Sequence, residues 1–195
     1  MIGSVTAVVF DAGETLLDET GLWSRAAAGA GVPEFTFMAL LGSLIAGREH
    51  HRRVWEVLGV EPAPSEFAPE DFYPDAHPCL TRLREAGYLV GVAGNTPVST
   101  EALLGPHVDF AASSGGIGAE KPSAAFFDAL VAACGRPAGE IAYVGDRVDN
   151  DVVPALAAGM VAIHIRRGPW GYLGTAPAEA ISIEGLASLP AVLQR

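Results

Sequence analysis

Short apolar segments separated by polar or glycine-rich sequence recur along the chain, and four of them have the length of a buried strand. They are rich in β-branched residues and are mostly apolar instead of alternating, which is typical of strands covered on both faces. We therefore predict parallel core strands at residues 5–10, 88–93, 141–144 and 160–165.

Between these segments lie stretches with the apolar spacing of helices. We predict helices at residues 76–86, 98–104, 122–134 and 151–158. Gly87, Gly135 and Gly159 stand where three of these helices should end. The alternation of strands and helices predicts an α/β fold with a doubly wound, Rossmann-like parallel sheet.

One long segment breaks this alternation, because it contains no convincing strand. We predict a helical insert at residues 17–74, with two of its helices at 35–46 and 48–58, and an α/β core formed by residues 1–16 and 75–195. The second insert helix would pair Glu49 with Arg53 at i,i+4 spacing. One of its faces would consist of His51, Val54, Trp55 and Leu58.

The composition fits a single domain with an appendage, since the chain has 195 residues, of which 50% are hydrophobic and 18% charged. The net charge of -11, with only 12 lysines and arginines, argues against nucleic acid as a partner. No apolar run approaches the roughly 18 to 20 residues of a membrane helix, and the first residues do not resemble a secretion signal. We expect no membrane association, a cytoplasmic location, and reduced, buried thiols at Cys79 and Cys134.

Polar residues are concentrated in four loops that we place at strand ends, where open parallel sheets bind their ligands. In the first loop, Asp11 emerges directly from an apolar strand and Gly13 follows it. The other three loops comprise Gly94, Asn95 and Thr96, then Glu120, Lys121 and Pro122, and finally the acidic run 145–151.

Together these loops resemble, in order and spacing, the four signature motifs of the haloacid dehalogenase superfamily, and the insert resembles that superfamily's C1-type helical cap. The resemblance implies a hydrolase in which Asp11 attacks phosphorus and forms an aspartyl-phosphate. It implies Mg²⁺ held by Asp11, the Gly13 carbonyl and Asp146, with Asp151 orienting the waters of the metal. It implies a phosphate site formed by Gly94, Asn95, Thr96 and Lys121.

Elementary electrostatics supports the same site. A phosphate monoester and a carboxylate nucleophile repel each other, so attack needs positive charge between them, and Mg²⁺ prefers oxygen ligands such as Asp11 and Asp146. Lys121 is the only lysine of the chain, which makes a merely solubilising role less natural. Pro122 would fit the first position of the following helix, whose free amide groups would face the same anion.

Two positions depart from the superfamily pattern. Gly13 stands where phosphatases of the superfamily usually carry a second aspartate as general acid and base, and Gly94 stands where serine or threonine is usual. Glu14, Asp18 or Glu19 would have to reach the leaving group, the leaving group would have to be a good one, or the cap would have to supply a group. Glu14 is one residue out of place and should point elsewhere.

Several residues have competing interpretations. Asn95 and Thr96 either bind phosphate or cap the next helix, and Asp149 is better explained as a helix N-cap. The basic run 48–53 is better explained as a solvated helix face than as an anion site. The loop 166–171, with Trp170, either borders the site or an oligomer contact, or closes the core. The five histidines lack zinc-ligand spacing.

Three functional hypotheses remain. The first is a Mg²⁺-dependent phosphatase acting on a small phosphorylated metabolite. The second is a degenerate member that binds a phosphate-bearing ligand or a partner protein without turnover. The third is a dehalogenase, since those relatives also lack the second aspartate, although they need no metal and Asp146 suggests one. A homodimer is possible in each case.

Overall fold

A computed structural model describes residues 5–194, and its centre is one sheet of six parallel strands in the order β3-β2-β1-β4-β5-β6. The strands are β1 (Ala7–Phe10), β2 (Leu89–Gly94), β3 (Phe110–Ser113), β4 (Ile141–Gly145), β5 (Val161–Ile165) and β6 (Ile181–Ile183). Four of them match the predicted strands to within one or two residues at each end, which is the usual uncertainty of such boundaries. The edge strands β3 and β6 were not predicted.

Helices cover the sheet and form the long segment after β1. They are α1 (Glu19–Gly29), α2 (Glu34–Ala46), α3 (Val54–Leu58), α4 (Ala76–Glu85), α5 (Ser99–Leu104), α6 (Ser114–Ile117), α7 (Ala124–Cys134), α8 (Val153–Ala157), α9 (Gly168–Leu173) and α10 (Leu189–Leu193). Gly135 ends α7 with left-handed backbone, as predicted. Within residues 5–194, no helix is long and apolar enough to cross a membrane.

The central strand β1 is covered on both faces. Val8 and Phe10 belong to the apolar cluster beneath α4 and α10, whereas Ala7 and Val9 belong to the cluster beneath α7 and α8. Successive side chains of a strand point to opposite faces, so helices must lie on both sides of the sheet. The predicted doubly wound α/β fold is therefore confirmed.

The predicted helical insert, residues 17–74, contains α1, α2 and α3 and has an apolar cluster, against which Trp170 of α9 also packs. At the centre of this cluster the ring of Phe37 is fully buried and lies 4.8 Å from that of Trp55, measured between centroids. The fully or largely buried members are Ala26, Ala27, Phe37, Leu41, Leu44, Ile45, Val54 and Trp55. Burial of these side chains gives the insert a packing unit separate from the two clusters of the sheet.

The second predicted insert helix, residues 48–58, is shorter than expected. Arg48 adopts left-handed backbone, with a φ of 58°, directly after α2 and Gly47. The chain therefore turns before a 3-10 turn at His51–Arg53 leads into α3. Glu49 lies outside any helix but still forms the predicted ion pair with Arg53. The first insert helix, α1, was not predicted.

The loop that carries Lys121 does not directly follow a strand, contrary to prediction, because α6 separates it from β3. The helix after this loop begins at Ala124 and not at Pro122. The Ser123 amide donates to the Glu120 carbonyl at 2.9 Å and closes a turn there. Pro122 lies within this turn, after a cis peptide bond, so it is not the first residue of a helix. Both cysteines are buried and unpaired, as predicted.

Candidate active site

The central strand β1 delivers Asp11 to the carboxyl edge of the sheet. In the strand order, β1 lies between β2 on one side and β4 on the other, which is the switch point where doubly wound sheets bind ligands. The Asp11 amide donates to the Val144 carbonyl of β4 at 2.8 Å. This bond fixes the start of the Asp11 loop beside the end of β4, from which Asp146 follows.

Lys121 joins two of the predicted carboxylates. Its Nζ lies 2.6 Å from Asp11 Oδ1 and 2.6 Å from Asp151 Oδ1, and its side chain is 1% exposed. Burial opposes the charge of the ammonium group, but the charges of Asp11 and then Asp151 outweigh it and raise the pKa of Lys121 well above its usual range. Lys121 is therefore a permanent cation at this edge of the sheet.

Three carboxylates accompany this single cation. Asp11, Asp146 and Asp151 each place one oxygen within 4.8 Å of the others' oxygens, and all three residues are buried. Burial and then the charges of Asp151 and Asp11 raise the pKa of Asp146 well above its usual range. Asp146 Oδ2 has no hydrogen-bond partner among the described residues. A buried, unpaired oxygen among excess carboxylates is a donor set that fits a hard divalent cation.

Asp151 has a second function in the local fold. Its Oδ2 accepts a hydrogen bond from the Arg147 amide at 2.9 Å and so caps a π-helical turn at Val148–Val152 that leads into α8. Gly145 permits this approach, because a Cβ at that position would overlap the Asp151 carboxylate. Burial raises the pKa of Asp151 to about 6, although the Lys121 charge opposes the shift.

Asp149 is not the N-cap that the sequence suggests. Its side chain is 72% exposed and forms an ion pair at 2.8 Å with Arg147. The turn is closed by Asp151 instead, so the prediction for Asp149 was wrong. The reason is that the π-helical turn begins at Val148, which puts Asp149 inside the turn and not before it.

Gly94, at the end of β2, lies directly against the Asp11 side chain. A Cβ at Gly94 would be 2.7 Å from Asp11 Oδ1, so the absent side chain leaves room for the carboxylate in this position. The Thr96 amide donates to the Gly94 carbonyl at 2.9 Å, which makes the following turn tight. The structure thus places the Gly94 loop beside Asp11, while its role in binding phosphate stays a prediction.

Asn95 has a structural role that neither sequence interpretation anticipated. Its side-chain amide donates to the Lys121 carbonyl at 2.9 Å and accepts from the Lys121 amide at 2.8 Å. The helix α5 begins later, after Val98, and has no side-chain cap. Asn95 therefore anchors the backbone of the Lys121 loop and so fixes the origin of the lysine side chain.

Gly13 is the site of the missing aspartate, and Glu19 fills the space beside it. A Cβ added at Gly13 would overlap Glu19 Oε1 and lie 3.1 Å from Glu19 Cδ. The Trp23 indole donates to the other oxygen, Glu19 Oε2, at 2.8 Å. Loss of solvent and then the charge of Glu14 raise the pKa of Glu19 to about 7, and the Asp11 charge adds to the shift.

Aromatic and basic side chains from both parts of the chain meet near these carboxylates. The Trp170 ring of α9 lies 5.5 Å from that of His51 in the insert, and 5.4 Å from the Arg147 guanidinium carbon. The His51 ring is also 5.7 Å from that of Trp23. Trp170 therefore packs between insert and core and does not close the sheet edge. Sequence reasoning missed the contacts of Trp23, which nothing in its local pattern marks, and of Arg147, which was only one member of the run 145–151.

The fold and this cluster define an α/β protein of the doubly wound class with a carboxylate-rich ligand site at its switch point. The sequence model of the haloacid dehalogenase-like hydrolases matches residues 5–159. The chain belongs to this family of hydrolases.

Named relatives and solved structures agree with this assignment. A glyceraldehyde 3-phosphate phosphatase of Methanopyrus kandleri is 39% identical over 112 residues, which are 54% of this chain and 48% of that protein. The chain thus spans about half the length of the curated relatives it matches.

Two solved structures share the fold along nearly the whole chain. A phosphatase of the family from Thermococcus onnurineus is 22% identical, with a TM-score of 0.66 and coverage of 97% of this chain and 98% of its own. A dehalogenase is 19% identical, with a TM-score of 0.74 and full coverage of both chains. At these identities the likeness concerns the fold alone, so the chemistry must be argued from the side chains.

Proposed function

We propose that this protein is a Mg²⁺-dependent phosphatase that hydrolyses a small phosphate monoester through an aspartyl-phosphate on Asp11. The observation that carries the proposal is the meeting of Asp11, Asp146 and Asp151, of which Asp11 and Asp151 pair with the ammonium group of Lys121 and Asp146 leaves one oxygen unpaired. A cluster with three acids and one base is anionic, so it cannot attract a phosphate dianion unless a cation is added.

The Mg²⁺ would be held by Asp11, Asp146 and the Gly13 carbonyl, and Asp151 would orient the water molecules bound to the ion. When bound, the ion supplies positive charge between the carboxylates and the phosphate oxygens. The same donor set explains why Asp146 is buried with an unpaired oxygen.

Protein side chains supply the remaining chemistry. Asp11 attacks phosphorus with a carboxylate oxygen, and the P–O bond to the alcohol breaks. Lys121 neutralises Asp11 and a phosphoryl oxygen, and its backbone anchor on Asn95 keeps the ammonium group in place during the reaction. The loop of Gly94, Asn95 and Thr96 borders Asp11 and would hold another phosphoryl oxygen. Water then releases phosphate and restores Asp11.

We propose further that the helical insert acts as a cap that selects the substrate. Trp23 contacts His51 within the insert, and Trp170 of the core contacts both His51 and Arg147, so these groups would form one wall of the substrate site. A matched relative is named a glyceraldehyde 3-phosphate phosphatase. A short phosphorylated aldehyde or alcohol is therefore the first substrate class to test.

The test is phosphate release from a panel of small phosphate monoesters, including glyceraldehyde 3-phosphate, with Mg²⁺ and with a chelator. We expect release only with Mg²⁺, and none from Asp11→Asn. The exposed Asp149→Asn variant should keep the activity, since it removes a nearby carboxylate outside the cluster. Metal-independent release, or full activity of Asp11→Asn, would contradict the proposal.

A further inference from the structure

We infer that Glu19, the first residue of α1, is the general acid and base of the reaction, working from the space that the absent side chain of Gly13 leaves free. This inference rests on the phosphatase function proposed above. It assigns to the insert a catalytic residue that the strand-end motifs of the core lack.

The position of Glu19, and not the backbone conformation of Gly13, explains the absent side chain. Its φ is outside the left-handed region, so the backbone itself would accept a side chain. What forbids one is the carboxylate of Glu19, whose Oε1 overlaps the position of a Cβ on Gly13. An aspartate at position 13 and Glu19 in its present place exclude each other. A carboxyl oxygen therefore lies beside the Asp11 loop in either case, and it belongs either to residue 13 or to residue 19.

Glu19 is held in this position by two contacts. The Trp23 indole donates to Oε2 at 2.8 Å, which leaves Oε1 as the oxygen directed at Gly13. The Glu19 amide donates to Glu14 Oε1 at 3.0 Å, and the Tyr73 hydroxyl donates to Glu14 Oε2 at 2.6 Å. Glu14 thereby fixes the start of α1 and with it the origin of the Glu19 side chain.

The two other nearby acids are occupied. Glu14 has left-handed backbone with a φ of 51°, and both of its oxygens accept the hydrogen bonds just described. Asp18 is the N-cap of α1, and its Oδ1 accepts from the Thr20 amide at 2.8 Å. Of the three acids near the Asp11 loop, only Glu19 directs an oxygen at Gly13.

The proposed proton transfers balance. As Asp11 forms its bond to phosphorus, the P–O bond to the alcohol breaks and that oxygen takes the proton of the Glu19 carboxylic acid. Glu19, now a carboxylate, accepts a proton from the water that attacks the aspartyl-phosphate. The bond between Asp11 and phosphorus then breaks, phosphate leaves, and both side chains return to their first state.

The first test compares leaving groups. In Glu19→Gln, kcat/KM for an alkyl phosphate should fall by about 10²- to 10⁴-fold, because an alkoxide cannot leave unprotonated. For 4-nitrophenyl phosphate the fall should be less than about tenfold, because that phenolate needs no proton. A burst of 4-nitrophenol before slow turnover is expected, since the second step also loses its base. Glu56→Gln, an exposed change in the same insert, is the matched control.

The second test moves the carboxylate. Gly13→Asp alone should displace the Glu19 carboxylate, because a side chain at position 13 overlaps Glu19 Oε1. In a Glu19→Ala background the same change should restore activity toward the alkyl phosphate, beyond that of Glu19→Ala alone.

The outcomes separate the two claims. Equal losses for both esters in Glu19→Gln, or no rescue by Gly13→Asp in Glu19→Ala, would overturn the role of Glu19 while wild-type activity, lost in Asp11→Asn, upholds the proposed function. Absence of hydrolysis in the wild type would overturn both.

Discussion

The core and the helical insert use their charged residues in opposite ways. At the carboxyl edge of the sheet, Lys121 and Asp151 are buried and lie 2.6 Å apart, beside an Asp11 side chain that is 12% exposed. In the insert, Arg53 pairs with Glu49 and Glu56, and all three of these side chains are largely exposed. Most of what the insert buries is apolar, with Phe37 and Trp55 at the centre, but it also buries Asp71 in an ion pair with Arg25.

This difference indicates that the core carries the chemistry and that the insert provides shape. Burying a charge costs free energy unless the charge is paired or bound to a metal, so the buried charges of the core indicate a function. Exposed pairs contribute little, so the insert charges mainly keep its surface solvated. Two insert acids are exceptions: Asp71 is buried and paired with Arg25, and Glu19 lies beside Gly13 of the core.

The largest expected effect is on catalysis by the core. Asp146→Asn removes a proposed metal ligand. Residues that only hydrogen-bond to metal ligands contribute about 10- to 100-fold to activity, so turnover at saturating Mg²⁺ should fall by more than that. Steady-state phosphate release measures this effect. The control Asp149→Asn changes an exposed acid three residues away and should lose almost nothing. Equal losses in the two variants would mean that burial does not distinguish the two acids.

A second prediction compares a buried pair with an exposed one. Lys121→Met leaves Asp11 and Asp151 without their partner, which should lower the free energy of unfolding by about 3 to 5 kcal/mol. Arg53→Met in the insert should lower it by less than about 1 kcal/mol. Urea unfolding near neutral pH, in chelator, measures both. Similar losses would remove the contrast between core and insert.

The smallest effect concerns the one insert histidine that is enclosed between tryptophans. Burial and the positive charges of His50 and Arg147 lower the pKa of His51 to about 4. Folded His51 stays neutral while the unfolded chain takes up a proton below about pH 6.5. The contribution of His51 to stability is thus complete above that pH and is lost as pH falls toward 4.

The free energy of unfolding of the wild type should therefore drop between pH 7.5 and pH 5 by on the order of 1 kcal/mol more than that of His51→Gln. Glu56→Gln, an exposed change in the same insert, is the control and should keep the wild-type slope. A slope that is the same in wild type and His51→Gln would show that His51 is not enclosed in solution.

Sequence reasoning reached those parts of the fold whose signals are local. Strands β1, β2, β4 and β5 are continuous apolar runs, and the acids that follow β1 and β4 could be matched to motifs. The edge strands escaped because β3 contains mostly small residues and β6 has only three residues. Their pairing depends on neighbours in the sheet and not on their own composition.

The candidate site was predictable to the same extent. Asp11, Lys121, Asp146 and Asp151 were named from their motifs, and the structure brings these four together. The anchor on Asn95 could not be singled out, because it joins segments that are distant along the chain, and the position of Glu19 depends on how the turn after Gly13 places α1. Glu19 was only one of three acids that could have reached the site. Tertiary packing of α1, with Trp23 holding one oxygen, distinguishes it from Glu14 and Asp18.

The most direct test of the account is to trap the covalent intermediate on Asp11. The wild-type protein would be mixed with Mg²⁺ and a phosphate monoester that it hydrolyses, and the reaction would be quenched in acid during turnover. The protein would then be digested and its peptides analysed by mass spectrometry. We expect a phosphoryl group on the Asp11 side chain that is absent in Asp11→Asn and in chelator. Continued turnover with no phosphoryl group on Asp11, or with one on another residue, would contradict it.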